Sequence, residues 1–322
     1  MNESKISGNG NNAGNGNNAG NTWDRQIDKD GAFKRKPTSF HHSISAKGPF
    51  EPEKDRYHLY VSFACPWAHR TLIVRKLKGL EDIISVDVVA SFLPASGWSF
   101  NSDEEGATGD RVNNFDDLKQ VYLAADKDYS GAITVPVLWD KKQKTIVNNE
   151  SSEIIRLFNS EFNHLAKNPE LDLYPDELAQ QIDDLNAWIY RDINNGVYRC
   201  GFARTQRAYE RAFFRLFAAI DRVEGILENS RYLTGKSLTE ADIRLFTTLV
   251  RFDAVYHTHF KTNLKRVVDY PSIWRFVCDI YALDGVAQTV NMDHIKKHYY
   301  LSHTHINPFG IVPVGPEIKF NL

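Results

Sequence analysis

Apolar spacing changes character once along this chain, at Asn168-Pro169, and that change restricts the architecture more than any single residue does. Before it, short runs rich in β-branched residues alternate with helical patterns. After it, only helical spacing remains. The expected result is a mixed α/β first half followed by an all-helical second half. Tyr57 to Phe63 (YHLYVSF) reads as a strand, Pro66 to Lys78 as a helix, and Ile83 to Ala90 as a second strand. Pro66 suits a first helical turn, where its missing N–H would have had no partner, and Gly79 suits the position just past the end. Residues 91–131, broken by Pro94, Gly97, Gly106 and Gly109, read as an insertion with a short helix around Val112 to Ala125. Thr134 to Trp139 and Thr145 to Val147 read as two further strands, and Ser151 to Phe162 as a helix.

In the second half, Leu178, Ile182, Leu185, Ile189 and Ile193 mark a helix from Asp176 to Asn194, and a second runs from Ala203 to Glu228. Thr239-Glu-Ala-Asp242 resembles a capping box, with Asp in place of Glu, and opens a buried helix from Asp242 to Val255. Pro271 opens another, through Tyr281, and Asp293 to Tyr300 forms the last. At 322 residues, and roughly 150 per domain, two domains are expected. The expected limits are 57–165 for the first, with its insertion at 91–131, and 170–301 for the second. Residues 8–21 hold twelve Gly or Asn in fourteen positions and cannot bury enough surface to order themselves, so 1–22 is expected to be disordered. An extended arm is expected at 23–56 and an extended tail at 302–322.

Charge narrows the function. Lys and Arg total 39 against 41 Asp and Glu, a net charge of -2, where a general nucleic-acid or anionic-membrane binder would carry a basic excess. No apolar run approaches the ~18 residues that cross a bilayer, and no secretory apolar segment opens the chain, so a soluble cytoplasmic protein is expected. Cys65, Cys200 and Cys278 are too few and too dispersed for a disulfide framework, which fits a reducing compartment.

Of these, Cys65 stands where the first strand runs into the first helix. There, unpaired N–H groups and the positive end of the helix dipole favour a thiolate and should lower its pKa. His69, Arg70, Arg75 and Lys76 follow on the same helix and add positive potential. Ala68 replaces any second thiol three residues on, so one-thiol chemistry through a mixed disulfide with an outside thiol is expected. Cys200 and Cys278 read as packing residues. Pro136, inside an apparent strand, implies an edge, a bulge or a cis turn. Asn149-Glu150-Ser151-Ser152 opens the next helix and offers either a plain N-cap or an anion site in which Glu150 receives a cationic amine. His294 and His298 have i, i+4 spacing, but no further ligand accompanies them, so a solvated helix face and no metal are expected. Ser230 to Ser237 (SRYLTGKS) lacks the first glycine and the preceding strand of a phosphate loop.

Together these residues resemble the cytosolic glutathione transferases, with a thioredoxin-like α/β N-terminal domain and an all-α C-terminal domain. More narrowly, SFACPWAHRTLIVRKLKGL, TVPVLWDKK, TIVNNESSEIIR, NNGVYRCGFA, LTEADIRLFTTLVRFDAVY and HINPFGIVPVGP resemble the glutathionyl-hydroquinone reductases, or Xi class, from about Trp23 to Pro316. The resemblance implies glutathione-dependent reduction of S-glutathionyl hydroquinones, without metal, by a homodimer. It implies Cys65 as nucleophile, Tyr198 as proton donor and acceptor, and Tyr256 and Tyr299 as residues that lower the thiol pKa and contact substrate hydroxyls. Trp98, Ala132, Ile133, Thr134, Val135, Glu150 and Ser151 would hold glutathione, through the Val135 backbone and the Glu150-Ser151 pair above all. Ala132 departs from relatives that often carry Arg or Lys there, leaving backbone contacts only. Two other readings fit the same residues: an omega-type thiol transferase or dehydroascorbate reductase, and a non-catalytic scaffold of transferase fold.

Overall fold

The structure is a computed structural model and describes residues 26–321; the Gly/Asn repeat, Trp23 and Arg25 lie outside the described residues. Strand β1 (Tyr57–Val61) is buried at every position, as expected for the middle of a sheet. It pairs in parallel with β2 (Ser85–Val88) and antiparallel with β3 (Val137–Asp140), which pairs antiparallel with β4 (Thr145–Asn148). The order β2-β1-β3-β4 makes one mixed four-stranded sheet. At its lower edge the buried Arg56 donates from Nε and Nη2 to Asp140 at 2.9 and 2.6 Å, tying the start of β1 to the end of β3.

Helix α1 (Pro66–Leu77) begins at the expected proline and is followed by Gly79 at φ 66°, the left-handed conformation glycine adopts freely. The insertion helix, α2 (Leu118–Ala125), starts later than its apolar spacing suggests. Asp110 accepts from the backbone N–H of Val112, Asn113 and Phe115 and holds that stretch in a turn, while Asp117 and Gln120 cap the helix reciprocally. Strand β3 also starts late, at Val137, because Pro136 has no N–H to give a ladder; the Val135-Pro136 bond is cis. Helix α3 (Ser151–Ser160) packs against α1.

The second half is helical, in keeping with its spacing: α4 (Ala179–Ile189), α5 (Gly196–Gly201), α6 (Gln206–Glu228), α7 (Glu240–Arg251), the short α8 (His257–His259), α9 (Pro271–Tyr281) and α10 (Met292–Ser302). Asp242 accepts from Thr239 N–H at 2.8 Å, Thr239 hydroxyl at 2.9 Å and Leu233 N–H at 2.8 Å, so the cap also fastens the preceding loop. Two π-helical turns, Tyr190–Asn194 and Phe252–Tyr256, replace the continuous helices that the spacing suggests. Such turns re-aim the residues that follow them. Helix α5, carrying Tyr198, begins after the first, and the second ends at Tyr256. No helix among the described residues is long and apolar enough to cross a membrane.

The described part of the arm is residues 26–56, ahead of β1. Its Phe40 N–H donates to Asn149 Oδ1 at 3.0 Å, its His42 N–H to Val147 O at 3.0 Å, and Phe33 packs on Tyr198 and Phe202. The arm therefore touches both halves. At the other end, Phe320 of the tail stacks on Tyr281.

Candidate active site

Cys65 occupies the N-cap of α1 in extended backbone (φ -76°, ψ 119°), so its side chain stands at the helix mouth. It is partly exposed and lines a cleft between the halves. The N–H groups of Ala68 and Trp67 are directed at the sulfur and, with the charges of Arg251 and Arg35, push its pKa down. Burial outweighs them, and the thiol stands above its ordinary value, contrary to the sequence expectation. The helix mouth was legible in the sequence; the depth at which it sits was not. Accordingly the thiol donates to Val135 O at 3.5 Å.

The positive charge comes from residues other than those expected. His69 is fully buried between Thr289 hydroxyl (2.7 Å) and Arg251, and burial drives its pKa well down, so it is neutral. Arg75 binds the carbonyls of Ile84 and Glu81 at the far end of α1, and Lys76 pairs with Glu81. Only Arg70 of that set stands beside the cleft, buried behind its walls at 3.4 Å from Ser151 hydroxyl and 3.0 Å from Asn194 Oδ1, with its guanidinium over Trp67. Arg251, from the end of α7, is fully buried. It donates to Ala64 O at 3.0 Å, Phe63 O at 2.8 Å and Thr247 O at 2.8 Å, and lies 2.9 Å from His69 Nδ1. No carboxylate pairs with it among the described residues. It fixes the two residues before the nucleophile and leaves a net cation beneath it.

The residues singled out from sequence converge. Cys65, Trp98, Ala132, Ile133, Thr134, Val135, Tyr198 and Tyr299 line one compartment of the cleft. Glu150 and Ser151 line an adjoining one, which shares Ala132, Thr134 and Val135 with the first. Glu150 does cap α3, accepting from Ser152 N–H at 3.1 Å, while its other oxygen accepts from Thr38 of the arm at 3.3 Å. Tyr198 and Tyr299 hydroxyls are 2.6 Å apart, and Tyr299 and Tyr256 hydroxyls 3.0 Å apart. Tyr256 stands behind Tyr299 and does not line the cleft, so its reach to the reacting atoms runs through that hydroxyl chain. Burial raises all three pKa values, keeping them as proton-bearing phenols.

Four contributors escaped the sequence reading: Arg35 and Gln26 of the arm, Arg251, and His298. His294 and His298 are buried, not solvated, because α10 is covered by the insertion. His298 Nδ1 lies 3.0 Å from Ser91 O and its ring stacks on Trp98 at 5.0 Å, while His294 Nε2 lies 2.6 Å from Glu105 O. No cluster of metal-binding side chains occurs among the described residues. A second depression, at His58, Ser85, Arg111 and Lys141, shares no lining residue with this cleft and holds no cysteine.

Comparison with known proteins extends the reading. The family model for the glutathione S-transferase N-terminal domain matches residues 64–161, and that for the C-terminal domain residues 206–277. The chain is 53% identical over 303 residues to glutathionyl-hydroquinone reductase YqjG of Escherichia coli (strain K12), covering 92% of each. A glutathione-bound structure of YqjG matches with a TM-score of 0.85, covering 88% of this chain and 94% of that one. Glutathionyl-hydroquinone reductase PcpF of Sphingobium chlorophenolicum is 51% identical over 91% of this chain and 93% of its own length. The glutathione S-transferase Xi from Phanerochaete chrysosporium superposes with a TM-score of 0.88 at 55% identity, covering 90% of this chain and 94% of that one.

Proposed function

Because this chain belongs to the glutathione S-transferase family, among the Xi-class glutathionyl-hydroquinone reductases, we propose that its cleft reduces S-glutathionyl hydroquinones through a mixed disulfide on Cys65. The fold is that of the family, a thioredoxin-like α/β half followed by an all-helical half. The enzyme is a glutathione-dependent oxidoreductase that yields the hydroquinone and glutathione disulfide. We take 57–165, with its insertion 91–131, as the glutathione-binding unit and 170–301 as the substrate unit.

Glutathione fits the residues present. Val135 offers backbone groups beside Cys65, and Glu150 and Ser151 at the mouth of α3 suit the ammonium and carboxylate of the γ-glutamyl end. Trp98 flanks the opposite side, and Ala132 and Ile133 supply only backbone and apolar contact. The Cys65 thiolate attacks the glutathionyl sulfur. With the ring in its ketone form, reached when Tyr198 moves a hydroxyl proton to the sulfur-bearing carbon, an S–S bond forms, the sulfur–carbon bond breaks, and its electron pair passes through the ring to the oxygen. The thiolate of a second glutathione then attacks the mixed disulfide, releases glutathione disulfide and restores Cys65. Tyr299, 2.6 Å from Tyr198, and Tyr256 behind it, return the proton along their hydroxyls.

The observation that carries this reading is a partly exposed sulfur at a helix mouth, sharing one compartment with the Tyr198 and Tyr299 phenols. Cys65→Ser tests it: turnover of glutathionyl-menadiol by the variant should fall by at least about 10³-fold, and residual activity near wild type defeats the mechanism. Clear preference of the wild-type protein for dehydroascorbate would favour omega-type chemistry instead. Family likeness also supports a cytoplasmic homodimer, which light scattering reads as twice the 36.8 kDa chain mass.

A further inference from the structure

The arm brings one charged side chain into the cleft whose bonding is incomplete. Arg35 lines both compartments. Its Nε donates to Asn195 Oδ1 at 3.0 Å, which anchors it to the turn that precedes α5. Its guanidinium carbon stands 5.0 Å from the centre of the Tyr198 ring and 4.9 Å from that of Trp67. Nη2 is buried and has no hydrogen-bond partner, and no carboxylate pairs with the group, among the described residues. From the same arm, Gln26 lines both compartments and its Oε1 is likewise buried without a partner. A cationic donor and a neutral acceptor left unmet in one cleft each carry a desolvation cost that a ligand can relieve. A ring bearing one anionic oxygen and one hydroxyl meets both.

We propose that Arg35 is a catalytic residue that holds the negative charge on a ring oxygen of the substrate while the sulfur–carbon bond breaks, with Gln26 accepting from a hydroxyl of the same ring. This rests on the reaction given above and adds a group to it. Tyr198 first gives a proton to the carbon that bears sulfur and takes one back from the ring hydroxyl conjugated with it, which yields the ketone form; as Cys65 then bonds to the glutathionyl sulfur, the electron pair of the sulfur–carbon bond moves into the ring and comes to rest on that oxygen. Cleavage thereby restores the aromatic ring as a phenolate, which takes a proton from water as the hydroquinone leaves. A fixed guanidinium aimed at the place where charge develops lowers that barrier without reorganisation. Tyr198 and Arg35 thereby divide the work: the phenol moves the proton that makes the ketone form, and the arginine stabilises the charge that cleavage leaves on the oxygen.

The test compares two substrates that use the same sulfur. Glutathionyl-menadiol sends an electron pair into a ring; the mixed disulfide of glutathione and 2-mercaptoethanol releases a small thiolate and needs no ring oxygen. In Arg35→Gln, kcat/KM for glutathionyl-menadiol should fall by about 10²-fold, and at least tenfold more than for the mixed disulfide. Arg35→Lys should recover part of that difference. The ratio of the two rates does not depend on how much of the variant is folded. Equal losses with both substrates, or a rise confined to the KM for glutathione, would overturn the proposal by assigning Arg35 to glutathione or to the arm's packing. Wild-type protein inert toward glutathionyl-menadiol would instead defeat the reaction itself, and this inference with it.

Discussion

Two helices meet the cleft with buried, ionisable side chains behind them, and they differ in what burial does to those groups. Behind the start of α1 stand Arg70 and Arg251; on α10 and just after it stand His298 and His303. Burial is close to complete in both places. An imidazole escapes its cost by giving up a proton: His298 is pushed down to about 4, and His303 well below its ordinary value. A guanidinium has no such exit near neutral pH and must be solvated by the protein, as Arg251 is by three carbonyls. The lesson is that the choice of arginine or histidine, not depth, decides where fixed charge resides. Here it resides beneath Cys65, while the imidazoles of His298 and His303 stay neutral.

Removing charge from the α1 side should have the largest effect. In Arg251→Met, turnover of glutathionyl-menadiol is expected to fall by about 10²-fold or more. The pH profile of iodoacetamide alkylation at Cys65 should move to higher pH, and stability should drop by about 2–4 kcal/mol because Ala64 and Phe63 carbonyls lose their donor. Arg251→Lys keeps the charge and should recover the alkylation profile better than the stability. An unmoved profile in Arg251→Met would break the comparison. Next, Tyr198→Phe takes one phenol from the neutral side and should cost about 10–10² in kcat, with the Cys65 profile little changed.

Acid should act on the neutral side first. His259 and His298, pushed down to about 3 and about 4, bind a proton in the unfolded chain near pH 6.5 but not in the folded one. The unfolded state thus holds more protons below that pH, and stability is lost as pH falls from 6.5 toward 4. Each histidine contributes about 1.4 kcal/mol per pH unit across that window. Asp242, pushed up from 3.8 to about 6, opposes the trend from about pH 6 down to the foot of that window. A melting temperature that does not fall with pH, or a slope unchanged in His298→Gln, would contradict the neutral assignment. The smallest effect belongs to Cys200→Ser. Burial pushes that thiol up to about 12, and nothing among the described residues pushes it back, so activity should stay within about twofold of wild type.

What the sequence made legible was local. Pro66 beside Cys65, Pro271 at the start of α9, and Thr239 with Asp242 each announce a helix start within a few residues, and the structure has all three helices. Cys65 was findable because a strand, a turn and a helix follow one another directly. Arg251 was not, since the Ala64 carbonyl it binds lies 187 positions away. Arg35 reaches Asn195 across 160 positions, and the polar arm gave no periodic signal to place it. His294 and His298 look solvated on their own helix and are buried only because Ser91 and Glu105 of the insertion lie on them. The π turns were invisible for a similar reason: one extra residue hardly disturbs apolar spacing, yet it rotates everything after it.

The hydroxyl of Tyr256 sits one link behind Tyr299, 3.0 Å from its hydroxyl. Removing only that hydroxyl, as in Tyr256→Phe, keeps the ring that packs on Tyr198 and Tyr299 and should alter how readily protons move more than the shape into which a quinone must fit. A laboratory breeding this enzyme for harsher aromatic pollutants could therefore use position 256 as a dial, adjusting reactivity and fit by separate substitutions.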